Sequence, residues 1–95
     1  GSVTAAAAGA LATMPKDFRV SITNSAGQGA YPISSFTWIL LYEDPQDKNQ
    51  GRVMVDFMKW ALGDGQQMAD DLGYAPLPGG LIQQELEQLN RIKIE

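Results

Sequence analysis

Tyr31-Pro32-Ile33-Ser34-Ser35-Phe36-Thr37-Trp38-Ile39-Leu40-Leu41-Tyr42 is the stretch on which the fold class turns. It opens with apolar and polar residues in alternation, the period of a half-buried strand. From Phe36 to Tyr42 it becomes almost continuously apolar, which predicts burial on both faces of a sheet. Pro32 falls at the start of that strand, where a missing N–H is tolerated. The run is far too short to cross a bilayer.

Upstream, Phe18-Arg19-Val20-Ser21-Ile22-Thr23 alternates in the same way and predicts a second strand. The two are separated by Asn24-Ser25-Ala26-Gly27-Gln28-Gly29, a turn-rich loop. Val3 to Met14 is rich in alanine, the best helix former, with Thr4 placed to cap it and Pro15 to stop it. Downstream, Glu43 to Asn49 is a charged loop turning at Asp44-Pro45. Gln50 to Leu62 carries Val53, Met54, Phe57, Trp60 and Ala61 at helical spacing, one broad apolar stripe. Gln66 to Leu72 predicts a short helix closed by Gly73. Tyr74-Ala75-Pro76-Leu77-Pro78 is an extended connector, because each proline pushes the residue before it out of the helical region. Leu81 to Ile92 predicts a last helix with Ile82, Leu86 and Leu89 on one face. The expected class is α/β (α+β if the chain stands alone), in the order helix-strand-strand-helix-helix-helix.

Composition narrows the chemistry. The chain has 95 residues, a net charge of -4, and neither cysteine nor histidine. There is thus no thiolate nucleophile, and the commonest general base and metal ligand are both absent. The seven Lys and Arg residues are scattered from Lys16 to Lys93, which disfavours nucleic acid as a partner. Gly1-Ser2 reads as a cloning scar, and the start lacks the basic region of a secretory signal.

Four stretches taken together resemble one family. Tyr31-Pro32-Ile33-Ser34-Ser35 runs into Phe36-Thr37-Trp38-Ile39-Leu40, and Val55-Asp56-Phe57-Met58-Lys59-Trp60-Ala61 follows. Ala69-Asp70-Asp71-Leu72-Gly73-Tyr74 then leads into Ala75-Pro76-Leu77-Pro78. In this order they are similar to the C-terminal piece of the phosphate-binding receptors of ABC transporters, of the periplasmic-binding-protein type 2 family. The resemblance covers nearly the whole chain, from about Val3 to Arg91. It implies part of a two-lobed fold that closes like a hinge on one anion. Residues 3–30 would be the tail of the second lobe, 31–42 the inter-lobe hinge strand, and 43–95 the C-terminal helices of the first lobe. It further implies phosphate as the ligand of the full-length parent and membrane permease subunits as its partners. The location implied is the periplasm or outer face of the bacterial cytoplasmic membrane, for a secreted parent whose signal peptide is missing here.

The family's oxyanion ligands lie upstream of the matched part, so no phosphate-binding residue is carried over. Ser34, Ser35 and Thr37 are the hydroxyls nearest the expected inter-lobe crossing and are the candidates to face a cleft; their plain reading is strand residues with locally satisfied hydroxyls. The Ser25–Gly29 loop has the composition of an anion nest. It leads into a strand, however, whereas a phosphate-cradling loop opens a helix. Asp70, Asp71, Glu85 and Glu87 read as solvated helix faces rather than an acid–base pair. Trp38 and Trp60 are expected as core anchors, and Met54, Met58 and Met68 as core filler. No catalytic residue, metal site or cofactor is expected, and the chain reads as non-enzymatic. The alternative is a stand-alone α/β module that self-associates into a homo-oligomer through an exposed strand 31–42.

Overall fold

In the computed structural model, which describes residues 2–94, α1 spans Ser2–Ala8, α2 spans Lys48–Leu62 and α3 spans Gly79–Leu89. Short 3₁₀ turns occupy Leu11–Thr13, Asp64–Met68 and Asp70–Leu72. No strand is present among the described residues, so the α/β class and the helix-strand-strand-helix-helix-helix order are overturned. The physical reason is pairing. A strand exists by its ladder of N–H···O=C bonds to a neighbour. Between the two expected strands only Asn24 N–H to Pro32 O (2.8 Å) is made. Tyr31 N–H turns instead to Ser2 O of α1 (3.0 Å). Residues 31–42 therefore run without a partner backbone, and Ile33 (78% exposed), Leu40 (91%) and Tyr42 (84%) stand in solvent.

The alanine-rich start holds the best-packed part of the molecule. Ala6, Ala10 and Ile22 are buried together, with Met14, Val20, Ala30 and Phe36 packed around them. The loop after Ile22 lies directly on α1. Ser25 Oγ donates to Ala6 O (2.7 Å), and a Cβ on Gly27 would fall 2.2 Å from Ala5 O. A Cβ on Gly9 would fall 2.3 Å from both Gly27 N and Ser25 Oγ. This approach is possible because both chains are bare there. It also ends the helix early: α1 stops at Ala8, short of the predicted Met14. Thr4 does not cap α1 but lies inside it, its hydroxyl donating to Pro76 O across the molecule (2.7 Å).

The C-terminal half follows the sequence more closely. Asp47 caps α2, its side chain accepting from Gln50 N–H (3.1 Å). The predicted short helix resolves into two 3₁₀ turns that end at Gly73, whose φ of 82° is the left-handed value that favours glycine. Gln66 ties this region down twice. Its amide nitrogen donates to Ala61 O (2.9 Å) and its oxygen accepts from Leu77 N–H (2.8 Å). α3 packs on both α1 and α2, with Leu81 and Leu89 buried.

The buried face of α2 is not the stripe that the sequence makes conspicuous. Gly51, Val55 and Leu62 are buried, while Val53 (66%), Phe57 (54%) and Trp60 (48%) are exposed. Trp38 and Trp60 are accordingly half-exposed rather than core anchors, and of the three methionines only Met58 falls below the exposed class. Trp38 still has its indole N–H satisfied by Phe18 O (2.9 Å) and stands edge-on to Phe36.

The Gly9–Gly27 contact gives a stability test. Gly9→Ala places a methyl group against backbone that cannot move aside, and the expected loss is about 1–3 kcal/mol by urea unfolding. Gly79→Ala, with open space around its Cβ, is expected to cost none of this.

Candidate functional site

The cleft that gathers two of the three candidate hydroxyls lies where α1, residues 35–38, the 73–77 connector and α3 meet. Its volume is about 310 Å³, and Ser35, Thr37, Trp38, Tyr74, Pro76 and Glu85 are among its lining residues. α1 is held against the connector by the Thr4–Pro76 bond. Residues 36–38 are fixed by Phe36 on the alanine core and by the Trp38 indole bond to Phe18. Two segments distant in sequence, 35–38 and 73–77, thus line one cleft.

The three candidate hydroxyls separate. Ser34 is buried, and its hydroxyl donates to Tyr31 O (2.9 Å), three residues back. Ser35 lines the cleft, but its hydroxyl donates to Phe36 O (3.2 Å). Thr37 lines the cleft and is exposed. An oxyanion site needs several donors converging on one point, with fixed positive charge or backbone N–H groups. Here no lysine or arginine lines the cleft, and Glu85 does. Burial pushes the Glu85 carboxyl above its ordinary 4.5. Once ionised, it repels an anion. Sequence reasoning treated Glu85 as a solvated face; it has no partner nearby in sequence, and only the docking of α3 against α1 reveals its surroundings.

The other candidates are dispersed. The Ser25–Gly29 loop spends its polar groups on packing: Ser25 Oγ binds Ala6 O, and Gly27 N–H turns back to Ser25 Oγ (3.4 Å). Asp70 and Asp71 are exposed on a 3₁₀ turn. Among the described residues no three carboxylates come together that could hold a metal ion. Arg19 is paired with Asp17 (2.8 Å) and Lys48 with Asp44. The Asp17 carboxyl is held below its ordinary 3.8 first by the Arg19 backbone N–H, and that of Asp44 by hydrogen bonding to Lys48.

A second cleft, about 670 Å³, opens between residues 40–47 and α2, with Leu40, Tyr42, Met54 and Ile92 in its wall and Asp44 and Asp47 at its rim. It is apolar and acid-rimmed, the opposite of an anion site. No helix among the described residues is long and apolar enough to cross a membrane.

The comparisons place these observations. No family model and no solved structure matches the chain. Over 83 residues it is 41% identical to a phosphate-binding protein PstS of Xylella fastidiosa (strain Temecula1), covering 87% of this chain. Over 82 residues it is 33% identical to the phosphate-binding protein PstS of Pasteurella multocida. A protein of the same name from Methanocaldococcus jannaschii is 32% identical over 75 residues. These are names of binding proteins, not enzymes. The chain spans about a quarter of the length of the curated relatives it matches, 23% of the Xylella and 24% of the Pasteurella protein.

The Glu85 environment sets a pH test. A carboxyl raised by burial binds its proton more tightly folded than unfolded, so stability falls as pH rises through the window above 4.5. The cost is fully present once pH passes the folded-state value. Glu85→Gln is expected to flatten that slope in denaturant unfolding followed from pH 4 to 7. The lowered Asp17 and Asp44 carboxyls act in a separate window: the stability they add is lost as pH falls below 3.8.

Proposed function

We propose that this chain, whose sequence is homologous to a segment of the phosphate-binding proteins, serves a phosphate receptor as hinge and scaffold and supplies no phosphate ligand. The single observation that carries this is the state of Tyr31–Tyr42. It is the family-like stretch, it has almost no backbone partner within the chain, and its apolar side chains are exposed. A segment built that way is suited to crossing between lobes, where other elements would pair with it. The absence of lysine and arginine from the hydroxyl-bearing cleft, together with the Glu85 carboxyl, supports the second half of the reading.

In this reading the receptor is extracytoplasmic and non-enzymatic. It captures inorganic phosphate in the periplasm or at the outer face of the membrane, and hands it to an ABC permease. Residues 3–30 belong to one lobe, 31–42 cross, and 43–95 pack on the other. Closure follows because the bound anion touches both lobes and so favours the closed state.

Calorimetric titration with inorganic phosphate tests the proposal, with the Xylella relative measured alongside. The relative is expected to bind and the 95-residue chain to give no binding heat. Binding by the chain as tight as the relative's would overturn the scaffold role. A relative that prefers another solute would overturn the phosphate assignment.

A second reading draws on the same exposed residues. Ile33, Leu40 and Tyr42 could cover themselves by adding 31–42 to the corresponding segment of another copy.

A further inference from the structure

α2 breaks three local rules near its start. Lys48 opens the helix and Arg52 follows four residues later, both near the end where the helix dipole is positive. Acidic residues are the favourable ones there, and the first turn has none. Between the two cations Gly51 sits inside the helix, which its backbone freedom weakens. One contact accounts for all three. Residues 93–94 cross the start of α2, where Lys48 Nζ donates to Lys93 O (2.9 Å) and the Arg52 guanidinium to Ile94 O (3.0 Å). The crossing segment is bound in turn to the loop before the helix, Lys93 N–H donating to Glu43 O (2.7 Å). Lys48 also pairs with Asp44 of that loop. Gly51 is buried beneath: a Cβ there would lie 2.5 Å from Pro45 Cγ and 3.6 Å from Ile94 Cγ2. Each of these contacts closes within the chain.

We propose that residues 92–94 are a clasp that holds the 43–47 loop against the first turns of α2, and that the loop keeps its place only while the clasp is shut. Local rules broken together at one contact mark a place where the fold accepts a weaker helix for another gain. The gain here is position. Residues 31–42 run into this loop with almost no backbone partner of their own. Among the described residues, the next backbone group after Pro32 O to be bonded to a distant segment is Glu43 O. Ile92 stands in the wall of the 670 Å³ cleft with Leu40 and Tyr42, so the clasp also fixes the width of that cleft. Its two side-chain bonds lie at the surface, and exposed polar bonds open at low free energy. The loop can therefore detach without disturbing the alanine core. In a receptor the clasp would anchor the far end of the crossing segment. That step rests on the function proposed above, whereas the clasp itself does not.

Amide hydrogen exchange on the 95-residue chain is the test, with Lys48→Ala/Arg52→Ala as the variant. Taking two cations from the positive end of the dipole and adding two alanines improves α2 as a helix. Helix energetics alone therefore predict slower exchange and a higher unfolding midpoint. The clasp predicts the reverse locally. With both side-chain bonds gone, the Lys93 amide should exchange about tenfold faster. The Tyr31 amide, bonded to Ser2 O in the other half, should keep its rate. Gly51→Ala approaches the same contact from beneath. It too favours the helix, yet its methyl group would meet Pro45, so the midpoint should not rise and Lys93 should again exchange faster. An unchanged Lys93 rate in the double variant, or a raised midpoint in Gly51→Ala, would overturn the clasp. So would faster exchange that includes Tyr31, since that is a global loss of stability rather than a local release. If calorimetry removes the phosphate assignment, the exchange result stands and only the anchoring role is lost.

Discussion

The close approach of two backbones at Gly9 and Gly27 sets the rest of the molecule. α1 is short and its side chains are mostly methyl groups, so it buries little by itself. It becomes a core because the loop after Ile22 lies on its backbone. That places Ser25 Oγ on Ala6 O and pushes Ile22 to 2% exposure. Phe36 then closes over the same alanines, and Trp38 reaches Phe18 from there. A bulkier residue at either glycine would lift the loop. The walls of the hydroxyl-bearing cleft would part with it.

One polar bond of long sequence separation joins the first half to the second beside the packing of α3 on α1, and others brace the second half within itself. Thr4 to Pro76 joins α1 to the connector, and Gln66 holds the connector to the end of α2. The C-terminal tail is strapped over the start of α2: Lys93 N–H donates to Glu43 O (2.7 Å), and Lys48 and Arg52 donate to Lys93 O and Ile94 O. Each such bond contributes on the order of 1 kcal/mol net. Their geometry confines the backbone more than it stabilises it. The result is elongated, with a radius of gyration of 14.2 Å against about 12 Å for a compact chain of this length.

How much of this could be read in advance differs between helix and strand. α2, the Gly73 stop, the Pro-rich connector and α3 were legible because a helix satisfies its own hydrogen bonds and its ends carry local signals. The strands were not, because a strand needs a partner that local periodicity does not guarantee. Ile22 is buried against α1 without forming a strand, whereas Ile33, Leu40 and Tyr42 have no layer to pack on. The apolar stripe of α2 misled in a different way. Val53, Phe57 and Trp60 are more conspicuous than Gly51, Val55 and Leu62, but burial went to the face with the glycine, where Pro45 and Ile94 come close. Glu85 was invisible because its surroundings come from α1 and the connector, both distant in sequence.

Those misreadings share one cause, which bears on function. Sequence patterning records every surface that a protein buries in its working state, whatever covers it. Where a chain of this length spans a quarter of its relatives, the apolar positions outnumber the partners available within it. The surplus is not spread evenly: it lies on residues 31–42 and on the outer face of α2, at Val53, Phe57 and Trp60. Two of the three candidate hydroxyls, by contrast, are already spent, Ser34 on Tyr31 O and Ser35 on Phe36 O, while Thr37 stands exposed in the cleft. Apolar surface left open beside hydroxyls that are mostly satisfied is the arrangement that the proposed scaffold role calls for.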